Sequence, residues 1–140
     1  MKEPIMQFKS EKEAKQYLKE WQHRLFLDDW IIKIVLCSED KMLLKNCSGE
    51  NEFERVGKSA VIRINNFEND DKNNYIVKIC DECVLIHELL HCKYNWIKPL
   101  PNDIEITYYN DGEHQLLEEM AKSLLMAKYN IDFKWFKNFK

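Results

Sequence analysis

The sequence predicts one small α+β domain, a short sheet flanked by helices, and three observations predict it. Residues 10–27 and 113–129 repeat apolar side chains at three- and four-residue steps, as amphipathic helices do. Residues 30–36 and 59–65 are too rich in β-branched side chains to prefer helix, and read as strands of a two- to three-stranded sheet. Between the second strand and the last helix lies an almost wholly apolar run, residues 84–92, that nevertheless carries two histidines and a glutamate. At 140 residues the chain can bury one real core but hardly two, and with only 3 Gly and 3 Pro it favours long regular elements over a loop-rich scaffold.

In chain order, Ser10 followed by Glu13 has the form of a capping box and places the start of the first helix. Its inner stripe is Ala14, Tyr17, Leu18, Trp21 and Leu25. Asp28 and Asp29 break the pattern, and the strand at 30–36 is expected to be buried on both faces or nearly so. Residues 38–58, polar and containing Gly49 and Gly57, read as a long loop or irregular hairpin. The strand at 59–65 ends in a polar loop; its free edge is the expected dock for an extended peptide, with Arg63 toward solvent. The histidine-bearing helix begins at Tyr75 or with Asp81 as N-cap, and ends near Trp96 because Pro99 disfavours helix in the residue before it. Residues 98–112 read as a connector. The last helix runs from about Glu113 to Tyr129, with Leu117, Met120, Ala121, Leu124 and Ala127 inward. The tail 131–140 alternates aromatics with lysines and is expected to pack back on the domain as a cap.

A formal net charge of -3 argues against a nucleic-acid binder working by bulk electrostatics. The N-terminus lacks the basic start and apolar core of a secretory signal, and no stretch approaches the 18 or so apolar residues of a membrane span, so a cytoplasmic location without membrane contact is expected. Five cysteines at irregular positions fit reduced thiols better than a disulfide framework.

The chemistry is concentrated in His87-Glu88-Leu89-Leu90-His91, an H-E-x-x-H pattern. On a helix the two imidazoles lie one turn apart on one face and can converge on one ion. Glu88 is rotated by roughly 100° from His87, so it does not share the cation but can reach a water beside it. Burying two imidazoles and a carboxylate among Val, Leu, Ile and Cys costs several kcal/mol unless each finds a partner, and one Zn2+ ion with its water supplies all three. The bland alternative is a pair of hydrogen-bonded core histidines at accidental spacing.

A catalytic zinc takes three protein ligands and leaves one position open. The acidic, half-apolar stretch 113–122 can supply the third. Glu118, mid-helix beside the inner stripe, is the leading candidate; His114 and Glu113 are alternatives, and Glu119 is expected to be solvated. If His114 is the ligand, Glu118 becomes an orienting acceptor instead. Cys83 with His87 and His91 is a competing set, but Cys80, Cys83, His87 and His91 together spread over about 16 Å of helix, too far to meet one ion. Tyr108 or Tyr109 is a candidate donor to an oxyanion, with loop packing as its ordinary role.

The run 85–91, preceded by the Trp30-led strand and the short strand to Asn65, resembles the compact zincin-type metallopeptidases of phages and mobile elements. Glu118-Glu119-Met120-Ala121 resembles the E-x-x-A segment of ImmA/IrrE-type, gluzincin-like proteins; those continue with Asn where this chain has Lys122. The resemblance spans roughly residues 14–127 in element order, while its specific motifs occupy only the two helices. It implies a minimal zincin-like fold, His87, His91 and Glu118 as zinc ligands, and Glu88 as general base. The expected activity is peptide-bond hydrolysis of a protein or peptide substrate by a zinc-activated water. The alternative is a catalytically silent module of the same fold that recognises a regulatory protein; retention of Glu88, which a purely structural site does not need, favours the enzyme.

Overall fold

The computed structural model describes residues 2–44, 47–54, 56–66, 79–94 and 103–137, the side chains of 103–111 excepted. The fold is α+β: helix α1 (Glu11–Arg24), strands β1 (Ile31–Cys37), β2 (Gly49–Glu54) and β3 (Ser59–Asn65), then helices α2 (Asp81–Tyr94) and α3 (Asp103–Tyr129). No helix among the described residues is long and apolar enough to cross a membrane.

The start of α1 is capped much as its sequence predicts. Ser10 Oγ accepts from Glu13 N at 3.1 Å, and the Glu13 carboxylate reaches back, to Lys9 N at 3.0 Å rather than to the cap itself. Ala14, Leu18 and Trp21 are buried along one stripe.

The sheet has the order β1-β3-β2, so β3 is its central strand. It pairs in parallel with β1 (Ile34 opposite Ile62) and antiparallel with β2 (Asn51 opposite Ile62). Residues 49–54, read as part of a long loop or irregular hairpin, form an edge strand paired antiparallel with β3, which is the hairpin alternative. One expectation is corrected here: β3, expected to offer a free edge, has none. β2 carries no β-branched residue, only Phe53 among polar neighbours, so propensity hides it. A second correction concerns β1, which is not buried on both faces: Ile34 is buried, whereas Ile31 and Lys33 on the opposite face are exposed, and on that face only Cys37, at the strand end beside Met42, is buried. The physical reason is one-sided cover. Ala60, Ile62 and Ile64 of β3 are buried together with Ile34 on one face, in one core with Leu18, Trp21, Leu85 and Leu89 from the helices. On the other face, Arg63 does not stand free in solvent but pairs with Glu50 at 2.9 Å and with Glu52.

Helix α2 starts with Asp81 as its first residue rather than as its cap, and Tyr75 and Trp96 lie outside the described residues. The N-terminal segment is strapped to this first turn: Asp81 N and Glu82 N donate to Met6 O and Ile5 O, and Phe8 N donates to Asp81 Oδ2 at 2.8 Å. Helix α3 begins ten residues earlier than periodicity suggests, since residues 103–112, read as connector, are helical; Asn110, Asp111 and Gly112 look like breakers in sequence but do not stop it. Its buried stripe is Leu117, Ala121, Leu125 and Tyr129, with Met120 and Leu124 half-buried and Ala127 exposed. After α3 a 3-10 turn, Phe133–Phe136, returns to the core and buries Phe136, as the cap expectation requires.

Candidate metal centre

α2 and α3 pack so that Glu82 meets Lys128 and Tyr129, His87 meets Glu118, and His91 meets Glu113. Rising numbers on α2 meet falling numbers on α3, so the helices run in opposite directions along the contact. Toward the C-terminal end of α2 this brings three imidazoles together. His87 Nε2 lies 3.2 Å from His91 Nε2 and 3.4 Å from His114 Nδ1, and one ring nitrogen from each of the three falls within 4.8 Å of the others. The His87 and His114 rings stack with centroids 5.5 Å apart, while His91 meets both edge-on. This group could hold a metal ion.

The outer nitrogens of the two α2 histidines are taken by carboxylates. His87 Nδ1 lies 3.0 Å from Glu118 Oε2, and His91 Nδ1 lies 3.2 Å from Glu113 Oε1. A carboxylate oxygen only accepts, so each Nδ1 carries a proton, and when the ring is neutral its Nε2 presents a lone pair. In the neutral rings two such Nε2 atoms face each other at 3.2 Å with a third imidazole nitrogen alongside. Lone pairs aimed at one another in a half-buried site repel unless a proton or a cation lies between them.

The electrostatics follow the packing. Burial, the His87 charge and His114 hold His91 down to about 4 against the pull of Glu113. His87 is also pushed down by burial, but the Glu118 hydrogen bond and the charges of Glu88, Glu118 and Glu113 outweigh it and leave the ring above its ordinary value. The hydrogen bond to His87 holds Glu118 below the usual carboxylate range. Glu88 is 6% exposed, and burial, reinforced by the charges of Glu50 and Glu118 and opposed by His87, raises its carboxyl to about 7. Among the described residues no group donates a hydrogen bond to that carboxylate.

Edge strand β2 runs beside Glu88. A Cβ on Gly49 would collide with Val84 Cγ1 and come within 3.5 Å of Glu88 Cγ, so only glycine lets the strand lie this close to the helix. Asn51 Nδ2 donates to Glu88 O at 2.8 Å and to Cys92 Sγ at 3.2 Å, tying strand to helix at the same level. Neither residue stands out in sequence as part of a site. Glu50, Glu52 and Glu54, alternating with Gly49, Asn51 and Phe53, were the available signal, a period of two without the usual strand residues.

Of the residues singled out in sequence, His87, Glu88, His91, Glu113, His114 and Glu118 all come to one end of the α2–α3 contact. Their arrangement differs from the leading expectation: His114, rather than Glu118, has its nitrogen in the converging group, and Glu118 sits behind His87. Cys80 and Cys83 belong to the core instead. Burial pushes the Cys80 thiol up to about 12 and raises that of Cys83 well above its ordinary value, which disfavours the thiolate a metal requires. Tyr108 and Tyr109 lie on α3, and their side chains are outside the described ones. The chain matches no protein-family model, no curated protein and no solved structure.

Proposed function

We propose that the chain is a zinc-dependent metallopeptidase in which His87, His91 and His114 hold the ion and Glu88 is the general base. The observation that carries this reading is the convergence of three imidazole nitrogens from two helices beside a buried carboxylate that meets no donor among the described residues. Nitrogens bound at 2.0–2.1 Å to a tetrahedral zinc lie about 3.3 Å apart, close to the 3.2 and 3.4 Å between the facing nitrogens here. Neutral imidazoles suit zinc, and three of them leave one coordination position for chemistry. A zinc ion there would supply a Lewis acid that acidifies water and polarises a carbonyl.

The chain's own residues supply the rest. Glu88 accepts a proton at its carboxylate and returns it to the leaving amine; a carboxyl raised to about 7 exchanges protons readily near neutral pH. The outer edge of β2, unpaired among the described residues and passing Glu88 at Gly49 and Asn51, is where an extended substrate backbone would add as a further strand. A protein or peptide substrate is therefore the proposed class.

The test is metal analysis of wild-type and Glu88→Gln protein followed by digestion of a peptide library. One zinc per chain in both, with cleavage by the wild type alone, is the expected result. Zinc in both with no cleavage of any peptide would favour a silent binding module, and a wild type without stoichiometric divalent metal would end the proposal.

A further inference from the structure

We propose that Glu113 and Glu118 are positioning residues of this centre, each holding one α2 imidazole by its outer nitrogen, and that Glu113 contributes more to metal affinity than Glu118. The inference rests on the metal reading above and deepens it. Glu118 is the residue whose type and mid-helix position make it look like a ligand. Both of its oxygens, however, are directed elsewhere: Oε2 toward His87 Nδ1 at 3.0 Å, Oε1 toward Lys122 Nζ at 3.8 Å. The nitrogen it contacts is the one turned away from the converging group.

A carboxylate in this place does two things. It fixes the tautomer, so that the inward nitrogen always presents a lone pair, and its charge makes that nitrogen more basic. Glu113 stands in the same relation to His91, at 3.2 Å from Nδ1. The two differ in surroundings. The Glu113 side chain is 10% exposed, whereas that of Glu118 is 44% exposed and shares its charge with Lys122. Solvent weakens the Glu118 field at His87, while the drier position of Glu113 screens its charge less at His91.

The experiment is a competition titration of Zn2+ against a chromophoric chelator for wild type, Glu113→Ala, Glu118→Ala and the two glutamine variants, with helicity recorded for each. Both alanine variants are expected to keep one ion per chain but to bind it 10- to 100-fold more weakly, the larger loss at Glu113. Glutamine, whose carbonyl still accepts the imidazole N–H, is expected to restore part of the affinity. X-ray absorption should count three imidazoles in the wild type and in Glu118→Ala. If folded Glu118→Ala binds no metal, as His87→Ala should not, or if absorption shows two imidazoles and a carboxylate oxygen in the wild type, Glu118 is a ligand and the inference fails. It fails equally if both alanine variants bind within twofold of wild type. A wild type that takes up no ion would instead overturn the metal reading itself, so the two failures are distinct.

Discussion

At the first turn of α2, Glu82 is 0% exposed and its carboxylate is surrounded by donors. Oε1 accepts from Ile5 N at 3.0 Å and Tyr129 Oη at 2.6 Å, and Oε2 accepts from Trp21 Nε1 at 2.9 Å and Lys128 Nζ at 2.8 Å. Further along the same helix, Glu88 is almost as deeply buried, yet no described residue donates to its carboxylate, and beside it the Nε2 atoms of two imidazoles face each other at 3.2 Å. Burial alone does not distinguish these two ends. What distinguishes them is the company each keeps: one carboxylate is saturated by the N-terminal segment, α1 and α3 and serves the fold, while the other meets no donor among the described residues. A buried carboxylate without such donors is costly to ionise, and its raised pKa follows from that.

Replacing Glu82 by alanine tests the saturated end most severely, because it strands the Trp21 indole N–H, the Tyr129 hydroxyl and the Ile5 N–H and leaves Lys128 with Glu20 as its remaining carboxylate. A loss of about 3–5 kcal/mol is expected in urea denaturation. A loss under about 1 kcal/mol would show that the cluster does not brace the fold.

Glu88→Gln tests the unsatisfied end, and its sign is opposite. A carboxyl whose folded pKa is raised from 4.5 to about 7 binds more protons in the native state than in the unfolded one. Its contribution to stability is thus fully present below pH 4.5 and is lost as pH rises through 7. The metal-free glutamine variant should lack that loss and be more stable than metal-free wild type at pH 8 by about 3 kcal/mol. Identical pH–stability curves for the two would erase the contrast with Glu82.

The smallest effect is expected from Tyr129→Phe, which removes one of four donors to Glu82 and should cost about 1–2 kcal/mol. It should leave zinc affinity unchanged, since it acts at the saturated end only. A parallel fall in affinity would mean that the two ends of α2 are coupled.

Much of the fold was legible in the chain because its cues are local. The Ser10 and Glu13 cap, the apolar stripe of α1 and the β-branched runs of β1 and β3 are each contained within a few residues. β2 was legible only as one of two alternatives, loop or irregular hairpin, because Gly49, Asn51 and Glu52 are poor strand formers. It is a strand because β3 offers it a hydrogen-bonding partner and Gly49 lets it lie against Val84. The start of α3 escaped for a related reason, since Asn110, Asp111 and Gly112 weaken helix propensity without overriding a continuous helix.

The same division runs through the candidate site. Four-residue spacing on a helix, a property of local geometry alone, already determined that His87 and His91 would share a face and that Glu88 would not share it with them. Which group of α3 faces them depends on how two helices cross, and Glu113, His114 and Glu118 all lie within reach of the crossing on chemically plausible terms. Only packing decided that His114, though exposed, brings its Nδ1 to the α2 histidines while both glutamates stand behind imidazoles, because the relative rotation and offset of two helices are set by contacts distributed over the whole core, not by the residues at the site.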